Sequence, residues 1–426
     1  MNIANLCITF GSIMTYVFYI AIAIIVLMIM VTIHEFGHFV AGRKLGFKIN
    51  EFSVGFGKKL WQKTTKDGIL VSVRLIPLGG YCAFDGEDED IDSPQAFNNQ
   101  KPWKRLIVLF SGAFFNFLSA VLFSFILLVS FGYSDVVQVR TVNEYSTNIT
   151  YAVEQIQEDD VIIAVDGVKT EFVNDNYFFT LIQNYEVGEE FTVTVRRDGE
   201  VVDVTMQYGR VIEYNSTESA YEINGKLYEV STILEGNVFE FTNKTDITDI
   251  VTTTAFDTEN PTTAVVQFSI DGMSFNYSPT TSVVNCLSLG LGLKNYVYTF
   301  GEALVECVPF TVEWGWKVLV LLWELITGQL PLSGIGGPIT TIGAIASYTQ
   351  TSWINLLLLF PLISVNLAVF NLLPFPALDG SRMVFVVIEW IRRKPINRNV
   401  EGWIHTIGLI VLFGFVIFVD IFNLLF

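Results

Sequence analysis

Hydrophobic residues in this chain are gathered into four long runs, near Thr15 to Val40, Leu106 to Phe131, Trp353 to Leu373 and Ile404 to Phe426. Each holds about 20 apolar residues, the length an α-helix needs to cross the hydrocarbon core of a bilayer. The pattern predicts a polytopic α-helical membrane protein with four transmembrane helices, over 15–41, 105–132, 353–380 and 404–425. After the first run the period changes. Glu51 to Gly55 and Ile69 to Ile76 are β-branched or alternating, a Lys/Gly-rich turn separates them, and Gly79-Gly80 closes the stretch. A membrane-associated β-hairpin is expected over 46–84, followed by an acidic loop over 85–104.

A polar, Thr- and acid-rich region separates the second and third runs. "EQIQEDDVIIAVDGVKT" (Glu154 to Thr170) sets an acidic turn before a short apolar strand, with Asp166-Gly167 turning into a second. "EEFTVTVRRDGEVVDVTMQ" (Glu189 to Gln207) is an alternating hairpin turning at Asp198-Gly199. These features predict a PDZ-like, β-rich domain over 135–208. Residues 209–285 read as strands of no nameable fold, and 286–350 as amphipathic or interfacial helices. "WKVLVLLWELITGQL" (Trp316 to Leu330) is short and interrupted by Glu324, which favours an interfacial or packed helix over a fifth crossing.

Charge orients the spans. Of 25 Lys and Arg, eleven fall between Ala41 and Arg105 and five between Ser381 and Val400; Tyr133 to Ser352 holds nine against 30 Asp and Glu. Because basic loops stay cytosolic, the PDZ-like region and both termini are expected outside the plasma or inner membrane. The net charge of -18 then describes a solvated acidic exterior and argues against nucleic acid. The first run is too long for a signal peptide, lacks a basic start and has no A-x-A-like site. Four scattered cysteines allow at most one structural disulfide, Cys286 with Cys307.

Two of the three histidines flank a glutamate inside the first apolar run, in "VTIHEFGHFV". Ionisable groups at that depth are expensive unless used. Four residues apart on a helix, His34 and His38 share a face and can grip one metal ion, with Glu35 close enough to reach a water on it. A catalytic zinc ordinarily takes three protein ligands. The third is expected to be Asp379, the only acidic residue between Glu324 and Glu389. It follows Pro374 and Pro376, which must break the third span and free backbone groups that lipid cannot satisfy.

Together these residues resemble the site-2 protease family, specifically its bacterial intramembrane metalloproteases of the RseP/RasP type. The matching features are HEFGH (His34 to His38), the "FSVGFG" to "PLGGY" hairpin, "GEDED" leading to "FNNQKPWKR", "SGAFFN", one PDZ-like domain, "GIGGPI" and "NLLPFPALDG". The resemblance covers nearly the whole chain except 209–285. It implies a Zn(2+) endopeptidase with His34, His38 and Asp379 as ligands and Glu35 as general base. It also implies that the hairpin around Gly55 and Gly57 binds substrate by strand addition and that Asn371 contacts substrate or the oxyanion. The implied partners are single-span membrane proteins, such as anti-sigma factors or remnant signal peptides, with peptide C-termini or substrate ectodomains at the PDZ-like domain. Two departures, Gly112-Ala113 where the family has Gly-Pro and Ser381 where it has a second Gly, bear on local packing and remove neither a ligand nor the base. A metal-ion transporter would require inverted repeats and ligands along a path, which the sequence lacks. An inactive PDZ-presenting anchor would not need HEFGH with Asp379.

Overall fold

A computed structural model describes residues 3–87, 91–142, 155–170, 178–233, 238–254, 266–270, 273–278, 283–286, 289, 291–329 and 336–425. Asp88 to Asp90 of the acidic loop and Gly334 and Ile335 of "GIGGPI" lie outside the described residues, as do parts of the predicted 135–208 and 209–285 regions. In chain order come α1 (Ile3–Leu45), β1 (Ile49–Thr64), β2 (Leu70–Phe84), α2 (Pro102–Ser130), a β-rich stretch holding α3 (Phe178–Ile182), and then α4 (Phe300–Thr327), α5 (Pro338–Thr351), α6 (Trp353–Leu372), α7 (Asp379–Arg392) and α8 (Arg398–Leu425). The chain divides into two compact units, 1–130 with 299–426, and 131–298.

In the first unit, four helical segments among the described residues are long and apolar enough to cross a membrane: Val17–Leu45, Pro102–Ser130, Asn355–Leu372 and Asn399–Asn423. In lipid the hydrophobic effect does not drive helices together, so close packing and buried hydrogen bonds do. Gly37 of α1 lies so near α2 that a Cβ there would sit 2.4 Å from the Ser111 carbonyl oxygen. Ser119 of α2 meets Ser364 of α6 at 2.6 Å, and Ser124 meets Thr311 of α4 at 3.0 Å.

Helix α4 starts in a capping box between Thr299 and Glu302 and stops at Gly328 in the left-handed region. It spans 28 residues, longer than the run around Trp316 suggests, and carries a Glu313–Lys317 pair at 3.6 Å. The third apolar run ends earlier than the predicted 353–380. Helix α6 stops at Leu372, an irregular segment carries Pro374 and Pro376, and a separate helix, α7, opens at Asp379. The physical reason is the one expected of proline, which supplies no N–H and clashes with the preceding turn.

The β1–β2 hairpin folds back on itself. Residues 51–54 of β1 pair on one side with 70–73 and on the other with 80–83, while 61–64 pair with 70–73. The result is four adjacent strand segments from two strands. Glu51 anchors their interior, accepting from Ser72 Oγ at 2.6 Å and pairing with Arg74 at 2.8 Å.

In the second unit, one sheet runs β16 (Leu291–Tyr296), β3 (Tyr133–Val142), β4 (Val161–Val165), β6 (Glu190–Arg197) and β7 (Glu200–Gln207), with β5 (Val168–Lys169) paired to β4. Its core gathers Val139, Ile162, Phe178, Val193, Val195, Val204 and Met206. Two further four-stranded sheets share a second core, in which Phe241 stacks on Phe268 at 4.0 Å. They are formed by β9–β12 (Tyr221–Ile223, Lys226–Ile233, Val238–Asn243, Ile250–Thr254) and by β8 (Arg210–Glu213) with β13–β15 (Val266–Ile270, Met273–Ser278, Val283–Cys286).

Two expectations are corrected. Residues 291–296, expected within a helical 286–350, form the edge strand of the six-stranded sheet beside β3, so a sandwich is inserted between its seventh-numbered strand and its last. Strand pairing so distant in sequence has no local signature. The Cys286–Cys307 disulfide is not formed: Cys307, buried on α4, is a free thiol, and Cys286 lies in the sandwich core.

Candidate metal centre

His34 and His38 lie one turn apart on α1, both buried, with ring centroids 4.7 Å apart. Their Nε2 atoms are 3.1 Å from each other, and Asp379 Oδ2 lies 3.0 Å from His34 Nε2 and 3.1 Å from His38 Nε2. Residues 345 apart in sequence thus present three donor atoms to one point. Among the described residues this is the one group of three or more His, Cys, Asp or Glu side chains close enough to hold a metal. Two imidazoles and a carboxylate suit zinc, whose donors sit at about 2.0–2.2 Å, and such a set leaves a coordination position for water.

The supports around the three side chains set their orientation. His38 Nδ1–H donates to the Val108 carbonyl oxygen at 2.8 Å, which leaves the Nε2 lone pair facing the other donors. His34 Nδ1 faces two amides, Asn116 at 3.4 Å and Asn371 at 3.5 Å. Asn116 is completely buried, and its Oδ1 has no hydrogen-bond partner. Turning that amide through 180° lets Oδ1 accept from His34 Nδ1–H, which satisfies the orphaned oxygen and frees Nε2 for a metal.

Gly112 of α2 closes the site from behind, where a Cβ would lie 2.5 Å from His38 Nε2 and 2.6 Å from His34 Cε1. Asp379 is positioned by the break before it. A Cβ on Gly380 would meet the Leu373 and Leu372 carbonyl oxygens at 2.3 and 2.4 Å, so the first turn of α7 packs tightly on the end of α6. Ala377, at φ 83°, donates its N–H to His405 Nδ1 of α8 at 3.2 Å, which ties the irregular segment to a second helix.

Glu35 is half-buried on the same helix turn, and its Oε2 accepts from the Cys82 N–H at 3.0 Å. A cavity of about 320 Å³ is lined by Glu35, His38, Asp379, Tyr81, Cys82 and Arg382. The strand nearest Glu35 is therefore the 80–84 edge of the hairpin. Gly55 and Gly57, at φ 85° and 82°, lie at the bend after the 51–54 segment, where Arg74 donates to the Gly57 carbonyl oxygen at 2.7 Å. A Cβ on Gly55 would approach the Ile76 carbonyl oxygen to 2.8 Å. Among the described contacts, none joins either glycine to the metal-site side chains.

The sequence reading of function missed the roles of Val108 and Asn116, which face the histidine Nδ1 atoms with polar groups, and of Gly112, which packs against both rings. A buried asparagine in an apolar helix is the one local signal that could have found Asn116.

The profile of peptidase family M50 matches residues 22–415. The chain belongs to peptidase family M50. A Pasteurella multocida protein named as a candidate zinc metalloprotease is 30% identical, across 96% of this chain and 100% of the relative. The Escherichia coli regulator of sigma-E protease, RseP, is 27% identical over 96% and 99%. A Haemophilus influenzae regulator of sigma E protease is 26% identical over 95% and 98%. This M50 chain is a zinc metalloendopeptidase of the site-2 protease type.

Proposed function

We propose that this M50 protease cleaves peptide bonds within or near the transmembrane segments of single-span membrane proteins, with His34, His38 and Asp379 as zinc ligands and Glu35 as general base and acid. The observation that carries the reading is the convergence of three donor atoms, two of them on buried histidines, within 3.1 Å of one another beside a glutamate on an apolar helix. Zinc held there supplies Lewis acidity and brings a nearby water to a pKa of about 7. Glu35, beside the three donors, would take a proton from an attacking water and return it to the leaving amine as the C–N bond breaks. The Cys82 N–H holds the Glu35 carboxylate toward the cavity it shares with His38 and Asp379.

A helical substrate hides its carbonyls in its own hydrogen bonds and must unwind to be cut. The 80–84 edge beside Glu35 offers backbone groups to an extended segment, which makes that edge a better-placed strand-addition site than the Gly55–Gly57 bend. In the second unit, the six-stranded sheet with α3 supports the PDZ-like reading. An apolar groove of about 420 Å³, lined by Phe179, Ile182, Leu289, Leu291 and Leu293, lies along its edge strand β16 and suits a peptide C-terminus or an extended substrate ectodomain. The relatives named as regulators of sigma-E make an anti-sigma factor the first substrate to test. Lys and Arg placement puts the metal site toward the cytosol and both termini outside.

Glu35→Gln tests the assignment: it should abolish cleavage of a model single-span substrate in proteoliposomes while the purified protein retains its zinc. Persistent cleavage would refute it.

A further inference from the structure

Away from the metal centre, a cavity of about 890 Å³ opens where α2 begins and where the α7–α8 connection passes. Its walls include Asn98, Arg105, Trp390, Arg393, Lys394 and Asn397. We infer that this cavity binds the headgroup of an anionic phospholipid.

Position places it at headgroup depth. Two of the four apolar spans begin at its rim, at Pro102 and at Asn399. Trp390 lines it and is half-exposed, as an aromatic side chain at the boundary between lipid tails and water is expected to be. Charge selects an anion. Glu389 also lines the cavity, but it is buried against Arg105, whose Nη1 donates to it, and it accepts from the Ile396 N–H at 2.9 Å, so that pair cancels. Arg393 and Lys394 remain, exposed and without an ion pair among the described residues, and give the cavity net positive charge.

The N-termini of α2 and α8, each a long helix, converge here and add partial positive charge. A further observation points the same way. Arg105 is 96% buried, lines the cavity and has an Nε–H with no partner. A phosphodiester with its glycerol oxygens supplies acceptors for such donors, and its acyl chains would continue along the apolar surfaces of the two spans. Basic pockets between membrane helices at this depth suit anionic headgroups.

The test reconstitutes the full chain in phosphatidylcholine nanodiscs doped with phosphatidylglycerol and counts retained lipids by native mass spectrometry. Retained phosphatidylglycerol is expected on the wild type. Arg393→Gln with Lys394→Gln should weaken retention by about 20- to 30-fold, at roughly fivefold per cation near a membrane surface. Lys63→Gln with Lys66→Gln, which removes the same charge from the exposed hairpin turn, should leave retention unchanged. Equal losses in both double variants would overturn the proposal, since they would report bulk charge. Equal retention of phosphatidylcholine, or stabilisation of the detergent-solubilised protein by millimolar inorganic phosphate alone, would also overturn it. The first would show that charge is not read, the second that the ligand is a free anion.

Discussion

A single methyl group at Gly112 should disable the metal centre. The glycine of α2 stands directly behind both histidine rings, and an alanine Cβ would lie 2.5 Å from His38 Nε2, against an ordinary contact that begins at 3.4 Å. The two rings must therefore retreat by roughly 0.9 Å, or α2 must move from α1 by as much. Metal–donor distances tolerate only about 0.2 Å, and α2 is held near α1 because Gly37 abuts the Ser111 carbonyl. Displacements near 1 Å at a reacting centre cost about 100-fold in rate. Gly112→Ala is thus expected to lower zinc occupancy after dialysis by at least about tenfold and cleavage of a single-span substrate by about 100-fold. Overpacking should also lower the stability of the first unit by about 1–3 kcal/mol. Gly414→Ala on α8, where nothing lies within 4 Å of the added Cβ, is the control and should be silent in both assays. Inductively coupled plasma mass spectrometry on purified protein, alongside a proteoliposome cleavage assay, reads both quantities. A Gly112→Ala protein with full zinc and full activity would refute the idea that close α1–α2 packing fixes the ligand geometry.

Three other outcomes follow from the same structure. Asp379→Asn should retain the fold and lose zinc on mild chelation, and unchanged metal content would assign the third ligand elsewhere. Asn116→Leu removes the group that faces His34 Nδ1 and should cut zinc affinity by about 10- to 100-fold, the usual effect of losing a partner to a metal-bound histidine; titration with a competing chelator measures it. In the hairpin, burial works to raise the Glu51 pKa, but hydrogen bonds from Ser72 and Arg74 outweigh it and bring it from 4.5 down to about 2. A depressed carboxylate stabilises the fold above its unfolded pKa and loses that contribution as pH falls. Hydrogen-exchange protection of 51–54 and 70–74 should therefore drop between about pH 4.5 and 2, and Glu51→Gln should remove the pH dependence. A wild-type hairpin with flat protection across that range would contradict this.

What the sequence determined by itself is what short periods encode. Four runs of apolar residues dictate four helices, because a backbone in lipid must satisfy its own hydrogen bonds, and the four-residue spacing of His34 and His38 places both rings on one helix face wherever that helix ends up. The break after Leu372 was legible in Pro374 and Pro376 for the same local reason. Tertiary structure decided everything that depends on a partner from elsewhere in the chain. That His34 meets Asp379 at 3.0 Å depends on how α1 packs against α2 and on the turn that opens α7, and neither period nor propensity encodes such an approach. Asn116, Val108 and Gly112 gained their positions relative to the histidines only when α2 docked through small residues. The edge strand β16 reads locally as part of a helical region because its partner β3 lies some 150 residues earlier, beyond an inserted sandwich, and strand pairing is settled by cross-strand contacts that a linear pattern does not contain.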